Sequence, residues 1–279
     1  MSIKADLIYN ESSIGTELFK KGVDSMKNDI FSLKGKVCII TGGNQGIGKV
    51  VAGYIADAGA DVVIVDLNDA TKVAEAIAEE YGVRTSAYVC DVTKPDDVKK
   101  CIEAIAQEMG TIDLLFNNAG IVYHEDAETC PAEKWAKVVD VNLNGIYYVA
   151  QAFAKYLIDH NKTGNIVNTA SMSATIVNVP QQQASYNASK AGVKHLTKSL
   201  AVEWAPHGIR VNCISPGYIQ TEMTGAVSQE WRDSWLRTIP FGRMGTPHEL
   251  AGAVIYLLSD AATYTSGCDM IIDGCFTNV

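Results

Sequence analysis

From Lys36 onward, hydrophobic positions alternate between two rhythms. Short β-branched runs at residues 37–40, 61–65, 85–89, 114–116, 165–168, 210–214 and 270–272 read as strands. Between them, residues 48–58, 69–81, 95–109, 131–142, 144–160, 184–205 and 247–258 carry helical spacing. Strands apolar on both sides and joined by crossover helices imply a parallel sheet covered on each face. The expected fold is α/β, a single doubly wound Rossmann-type domain with a central parallel sheet of about seven strands. Residues 1–30 fall outside the alternation and read as an N-terminal extension, with a short helix expected around Thr16 to Lys27; residues 31–279 form the domain. No repeat or low-complexity tract divides it.

Composition narrows the possible partners. Lys plus Arg number 23 against 32 Asp plus Glu, a formal charge of −9 over 279 residues. Such a surface repels polyphosphate, so neither nucleic acid nor an anionic membrane is an expected partner. With 47% hydrophobic and 20% charged residues the chain is an ordinary globule. Its opening carries Asp6, Glu11, Glu17, Asp24 and Asp29 with no arginine up to Phe31, unlike a transit peptide, and no secretory signal precedes them; a cytoplasmic location is expected. The longest uncharged stretch, residues 163–189, is rich in Asn, Gln, Ser and Thr, which hydrocarbon would strip of water at prohibitive cost. Seven cysteines, without a C-x-x-C pair or an H-E-x-x-H run, form neither a disulfide scaffold nor a metal cage. Cys38, Cys90, Cys213 and Cys268, in or beside apolar runs, read as small packed hydrophobes.

The first strand runs into Thr41-Gly42-Gly43-Asn44-Gln45-Gly46-Ile47-Gly48 and then a helix. Glycines let a pyrophosphate approach the backbone, and the helix N-terminus offers unpaired N–H groups with a positive dipole end. The second strand ends at Asp66, about 20 residues on, where a carboxylate accepts hydrogen bonds from an adenosine ribose and opposes a 2′-phosphate. Neither Gln45 nor Leu67 supplies the cation an NADP site wants, so NAD is expected over NADP. Capping of the next helix is the other reading of Asp66, although Asn68 and Asp69 are better placed for that. Asp91 and Val92, at the end of the third strand, are candidate adenine contacts; an ordinary loop aspartate is the alternative.

Thr41 to Gly48, Asn117-Asn118-Ala119-Gly120, Asn142, Ser171, Tyr186-x-x-x-Lys190 and Pro216-Gly217 occur in an order and spacing that resembles the short-chain dehydrogenase/reductase family over residues 32–279. The resemblance implies hydride exchange with a nicotinamide coenzyme and proton exchange on a carbinol oxygen. Tyr186 is then the proton donor and acceptor. A free phenol has a pKa of about 10, and reaching 7 takes roughly 4 kcal/mol. Lys190, one helical turn on, is expected to lower it. Counting back 13 residues from Tyr186 reaches Ser173, whereas aligning on strand 165–168 places Ser171 at the strand mouth. A loop absorbs two extra residues more easily than a sheet register does, so Ser171 is preferred as the donor to the substrate oxygen, with Ser173 lining the pocket. By resemblance alone, Asn142 interrupts a helix and holds a water joining Lys190 to solvent, with Asn144 as a capping alternative. Asn118 and Gly120 lie near the coenzyme, Asn118 also bracing the central strands. The segment from Pro216 and Gly217 to Ile219 and Thr221 meets the nicotinamide carboxamide.

The specificity segment, residues 222–241, reads as a substrate lid bearing Met223, Trp231, Trp235, Ile239 and Phe241; packing of the lid on the body is the other reading. Asn178, Gln181, Gln182 and Gln183 offer neutral groups suited to substrate hydroxyls. Thr169 to Ser173 with Pro216 to Ile219 is similar to the sorbose- or mannitol-type ketose reductase and polyol dehydrogenase branch. A small-molecule alcohol or ketone, specifically a polyol/ketose pair, is the expected substrate, with hydroxysteroids or other secondary alcohols behind it. A nucleotide-sensing regulator without turnover is the rival, opposed by intact Tyr186 and Lys190. Residues 144–160 and 184–205 show apolar positions beyond one stripe, including Tyr147, Phe153, Leu157, Val193 and Leu200, and the resemblance implies a homotetramer.

Overall fold

The computed structural model describes residues 29–225 and 227–279; the helix expected around Thr16 to Lys27 lies outside them. Seven strands form one sheet: β1 Val37–Thr41, β2 Asp61–Asp66, β3 Thr85–Val89, β4 Leu114–Asn117, β5 Gly164–Thr169, β6 Ile209–Pro216 and β7 Asp269–Ile272. All pair in parallel, in the order β3-β2-β1-β4-β5-β6-β7. The chain reverses its direction across the sheet between β1 and β4, and the carboxyl ends of strands at such a switch point open a crevice for ligands. Thr41 pairs with Asn117 there, so the two loops that follow start side by side.

The helices are α1 Gly46–Asp57, α2 Thr71–Tyr81, α3 Pro95–Met109, α4 Ala132–Val139, α5 Ile146–Asp159, α6 Ala184–Trp204, α7 Glu222–Gly225, α8 Gln229–Thr238 and α9 His248–Leu258. Successive strand residues point to opposite faces, so β1 sends Ile39 to one core and Ile40 to the other. Ile39, Val63, Leu115 and Ile166 meet α3, α5 and α6 through Ile102, Phe153 and Leu200. Ile40, Ile64, Phe116 and Val167 meet α1, α2 and α9 through Ile55, Ile77 and Val254. A third, smaller cluster joins Trp235 and Ile239 of the 222–241 segment to Met172, Tyr218 and Met244.

Two expectations are corrected here. The helices read at 131–142 and 144–160 are one helical path, joined through a π-turn at Asp140–Gly145. Val139 and Ile146, on either side, both keep right-handed helical dihedrals, so the chain widens without breaking. Gly145 permits the close packing this needs, since a Cβ there would stand 2.8 Å from Val92 Cγ2. Second, Phe153, Leu157, Val193 and Leu200 are buried within this one chain and Tyr147 is half-buried. Their excess over one stripe arises because α5 and α6 pack against the sheet and against neighbouring helices.

Candidate active site

The glycine loop is built by backbone contact. Gly42 has φ +65, and a Cβ on Gly48 would lie 2.1 Å from the Gly42 carbonyl oxygen, so only hydrogen fits between loop and helix. Asn118 locks the arrangement: its Nδ2 donates to Gly42 O at 3.2 Å, its Oδ1 accepts from Thr169 Oγ1 at 3.2 Å and its N–H donates to Thr41 Oγ1 at 2.9 Å. Helix α1 starts at Gly46 with no side-chain cap and no acidic residue in its first turn, which leaves its N–H groups free for an anion.

Above this loop lies a cleft of about 1290 Å³, open mouth included, lined by Gly42, Gln45, Gly46, Ile47, Asp66, Asp91, Val92, Asn118, Gly120, Tyr186, Lys190 and Thr221. Asn44 and Gly48, expected beside the coenzyme, do not line it. Gly48 lies beneath the loop, and the Asn44 N–H donates to Asp66 Oδ2 at 3.2 Å. The other Asp66 oxygen accepts the Asn68 N–H at 3.1 Å, while Asp69, not Asp66, receives the N–H and hydroxyl of Thr71 at the start of α2. Asp66 is thus a loop anchor as well as a cleft wall. Asp91 is held by Thr93 in the same way, and those bonds keep its carboxyl below the ordinary value despite desolvation. The residues present fit a dinucleotide: an uncapped helix end, a loop with no room for side chains, and an acidic group at the end of β2.

A second cavity, shared in part with the first, contains Ser171, Ser173, Tyr186, Pro216, Gly217, Ile219, Thr221 and Trp235. The two meet at Ile47, Thr169, Tyr186, Thr221 and Met223. Pro216, Gly217 and Ile219 line the second cavity only. The Ile219 carbonyl accepts the Thr224 hydroxyl at 2.6 Å, which ties the end of the β6 loop to α7.

Tyr186 and Lys190 sit one turn apart on α6, the ammonium 5.6 Å from the centre of the phenol ring. Lys190 is buried and donates to Thr169 O at 2.6 Å; burial pushes its pKa down to about 8. The Tyr186 phenol stands above its usual value because burial outweighs the pull of its hydrogen bond with Ser171. The expected lowering of the phenol by Lys190 is therefore absent in this chain by itself: the ammonium reaches the ring face and a carbonyl, and desolvation dominates the phenol. The Asn142 side chain is bonded on three sides. Its Oδ1 accepts the Ile121 N–H at 2.8 Å, and its Nδ2 donates to Ile121 O at 2.9 Å and Ser189 Oγ at 3.1 Å. Ser189 in turn donates to Tyr186 O at 2.8 Å, so the π-turn fixes the first turns of α6. Asn144 bonds Asp140.

Ser171 extends from the mouth of β5 and faces Tyr186, while Ser173 lies in the turn Met172–Ala174. Ser171 Oγ donates to Ser173 Oγ at 3.1 Å, and Ser173 Oγ donates to Asn178 Oδ1 at 2.6 Å. The amides expected to greet substrate hydroxyls are largely committed to one another. Gln183 Nε2 donates to Asn178 Oδ1 at 3.0 Å and Asn187 Oδ1 at 2.9 Å, and Gln182 is exposed. Asn178 and Gln181 both donate to Tyr218 OH, a residue to which the sequence assigned no role. His124, also unassigned, lines this cavity, packs edge-on against Trp231 at 5.0 Å and is held toward its neutral form by burial. Of the lid side chains, Trp235 and Ile239 are buried, whereas Met223 and Phe241 are exposed. Among the described residues no three His, Cys, Asp or Glu side chains gather where they could hold a metal, and no helix is long and apolar enough to cross a membrane.

Known proteins share this arrangement. A family profile described as enoyl-(acyl carrier protein) reductase matches residues 42–277. A sorbose reductase of Candida albicans is 48% identical over 252 residues, covering 89% of each chain. An NADP-dependent mannitol dehydrogenase of Hypocrea jecorina is 40% identical over 254 residues, 89% of this chain and 95% of that one. The crystal structure of a short-chain type dehydrogenase/reductase from Mycobacterium marinum superposes with a TM-score of 0.85 at 43% identity, covering 89% of this chain and 98% of the other. With this extent of agreement in sequence and fold, the chain belongs to the short-chain dehydrogenase/reductase family and is an oxidoreductase acting on secondary alcohols with a nicotinamide coenzyme.

Proposed function

We propose that the substrate pair is a polyol and its ketose, and that NAD is the coenzyme. The observation that carries the reading is the meeting of the two clefts at Tyr186, which sets one phenol against both a dinucleotide groove and a cavity whose walls carry Ser171, Asn178, Gln181 and Tyr218. The glycine loop, Asp66, Asp91, Val92 and the Ile219–Thr221 segment would hold the coenzyme, whose nicotinamide would supply the hydride acceptor and donor. Tyr186 takes the carbinol proton during oxidation and returns it to the ketone oxygen during reduction. Ser171 donates to that oxygen and holds it toward the phenol. Lys190 supplies a buried positive charge beside the ring, favouring the phenolate as it forms. Asn142 positions α6 through Ser189. Residues 222–241 close over the substrate cavity as a lid on the catalytic domain, residues 31–279.

The relatives support a polyol: a sorbose reductase is 48% identical to this chain and an NADP-dependent mannitol dehydrogenase 40% identical, each over about nine-tenths of it. Asp66 supports NAD, since its charge opposes a 2′-phosphate. NADP is the second reading. It is favoured by the name of the H. jecorina relative and by Lys137, a cation lining the adenosine side of the cleft near Asp91. A panel of sugar alcohols, ketoses and steroid alcohols, run with NAD and NADP at matched concentration and read by the absorbance of the reduced coenzyme, tests both. Turnover confined to steroids refutes the polyol assignment, and a higher kcat/KM with NADP refutes NAD. We also infer a homotetramer from the family resemblance, tested by mass in light scattering, and a cytoplasmic location, tested by cell fractionation.

A further inference from the structure

Tyr218 follows Pro216 and Gly217 at the mouth of β6 and shares its cavity with Ser171 and Tyr186. Its ring is fixed on two sides, stacked on Trp235 at 4.2 Å and 13° and touched edge-on by Phe276 at 5.4 Å and 90°. Its oxygen receives Gln181 Nε2 at 3.0 Å and Asn178 Nδ2 at 3.3 Å. The Gln181 amide is not free to turn over. The Trp235 indole N–H can only donate, and it donates to Gln181 Oε1 at 3.0 Å, which directs Gln181 Nε2 at the phenol. Asn178 Oδ1 receives Ser173 Oγ at 2.6 Å and Gln183 Nε2 at 3.0 Å, which directs Asn178 Nδ2 the same way. The two acceptor sites of the phenol are filled, and its proton has no acceptor among the side chains that bond it.

We propose that Tyr218 is a specificity-determining donor that gives this proton to a substrate hydroxyl near the reacting carbon, and so selects hydroxylated ketones and alcohols over plain ones. The proposal deepens the polyol reading and rests on it. A substrate lacking that oxygen leaves a buried O–H unpaired, so discrimination of about ten- to a hundred-fold is expected. The amide bonds serve the same end: two donors on one phenol oxygen leave it nothing to do but donate.

The test compares erythrulose with 2-butanone, ketones of equal carbon count, in the reductive direction. Wild type is expected to favour erythrulose in kcat/KM by at least ten-fold beyond the value for Tyr218→Phe, which keeps the ring and its stacking on Trp235. Turnover of 2-butanone by the variant is expected to fall by less than that of erythrulose, because 2-butanone has no hydroxyl for the lost donor to meet. No wild-type preference for erythrulose overturns the ketose reading and the proposal together. A preference that Tyr218→Phe leaves intact overturns the proposal alone, as does an equal fall on both ketones, the mark of a structural role. Should Tyr218→Phe lose its fold, 3-fluorotyrosine at position 218 keeps the oxygen and both amide bonds while strengthening the donor. It is expected to widen the preference; an unchanged or narrowed one overturns the proposal.

Discussion

The Lys190 ammonium donates to the Thr169 carbonyl at 2.6 Å, tying helix α6 to the mouth of strand β5 with a buried charge. One carbonyl satisfies one of its three donors, and among the described residues no carboxylate pairs with it. Lys190 and Gly120 both line the coenzyme cleft, and a Cβ added to Gly120 would stand 3.5 Å from Nζ. A cation kept there against its solvation is a stability cost retained for chemistry.

Lys190→Met is therefore expected to separate activity from stability. Turnover should fall by about 10²- to 10⁴-fold, while stability at pH 7 rises by on the order of 1–3 kcal/mol, since the depressed pKa measures the penalty of holding the charge. The wild-type penalty stands in full below about 8 and fades between there and the ordinary 10.5, because the folded state sheds the proton first. Urea midpoints at pH 7 and pH 9.5 check this: wild type should gain on the variant as pH rises, and a variant less stable at both values contradicts it.

The same two groups set the pH profile. Burial holds the Tyr186 phenol protonated above its usual range, which suits reduction, where it must give a proton. Reductive kcat/KM should decline above about pH 8 as Lys190 loses its charge, whereas oxidative kcat/KM, which needs the phenolate that this charge favours, should climb up to about pH 8 and flatten above it. Tyr186→Phe should lower both directions by about 10²- to 10⁴-fold at every pH. Steady-state rates in the two directions from pH 6 to 10 decide it; undiminished rates in Tyr186→Phe would remove the phenol from the mechanism.

The two serines should differ in kind. Ser171 faces Tyr186, whereas Ser173 Oγ is held between Ser171, Asn178 and Gln183. Ser171→Ala is expected to lower kcat by about 10²- to 10³-fold, the usual loss of one donor to a reacting oxygen. Ser173→Ala should cost at most about ten-fold in kcat and show instead in stability, by about 1–3 kcal/mol, because Asn178 Oδ1 loses its shortest partner. Parallel kinetics and thermal melts distinguish the two, and a larger kcat loss for Ser173→Ala would reverse their roles.

What the sequence made legible followed short-range rules. Val37–Thr41 and its partners announced themselves by β-branched runs, and Tyr186 and Lys190 by their one-turn spacing on a segment with no other charge. The π-turn at Asp140–Gly145 reads in the pattern as a break between two helices and by resemblance as an interruption at Asn142, but not as a widened turn, because the residues flanking it keep helical dihedrals. Residues such as Asn178 and Gln183 were visible as polar groups, but their bonds to Ser173 and to each other depend on how one loop folds back on itself. Tyr218 was harder still, since its partners Asn178 and Gln181 lie 40 and 37 residues away and only the closed sheet brings them together.

Glycines offer the sharpest contrast between local preference and tertiary constraint. On helix propensity alone, alanine should improve both Gly48 in α1 and Gly252 in α9 by roughly 0.5–1 kcal/mol. At Gly252 nothing lies within 4 Å of the added carbon, so the gain should appear as a small rise in melting temperature with unchanged kinetics. At Gly48 the same carbon would stand 2.1 Å from Gly42 O and 2.7 Å from Asn118 Nδ2, atoms held by the coenzyme loop and by the brace across β1 and β4. Overpacking against backbone costs about 1–3 kcal/mol or more and outweighs the propensity gain. Gly48→Ala should thus lower stability and, by pushing Gly42 out of place, raise the coenzyme KM by at least about ten-fold, one decade for each 1.4 kcal/mol of lost binding. Melting curves and coenzyme titrations on the two alanine variants read both effects. A Gly48→Ala enzyme with wild-type coenzyme affinity would show that the loop can yield where its backbone is packed most closely.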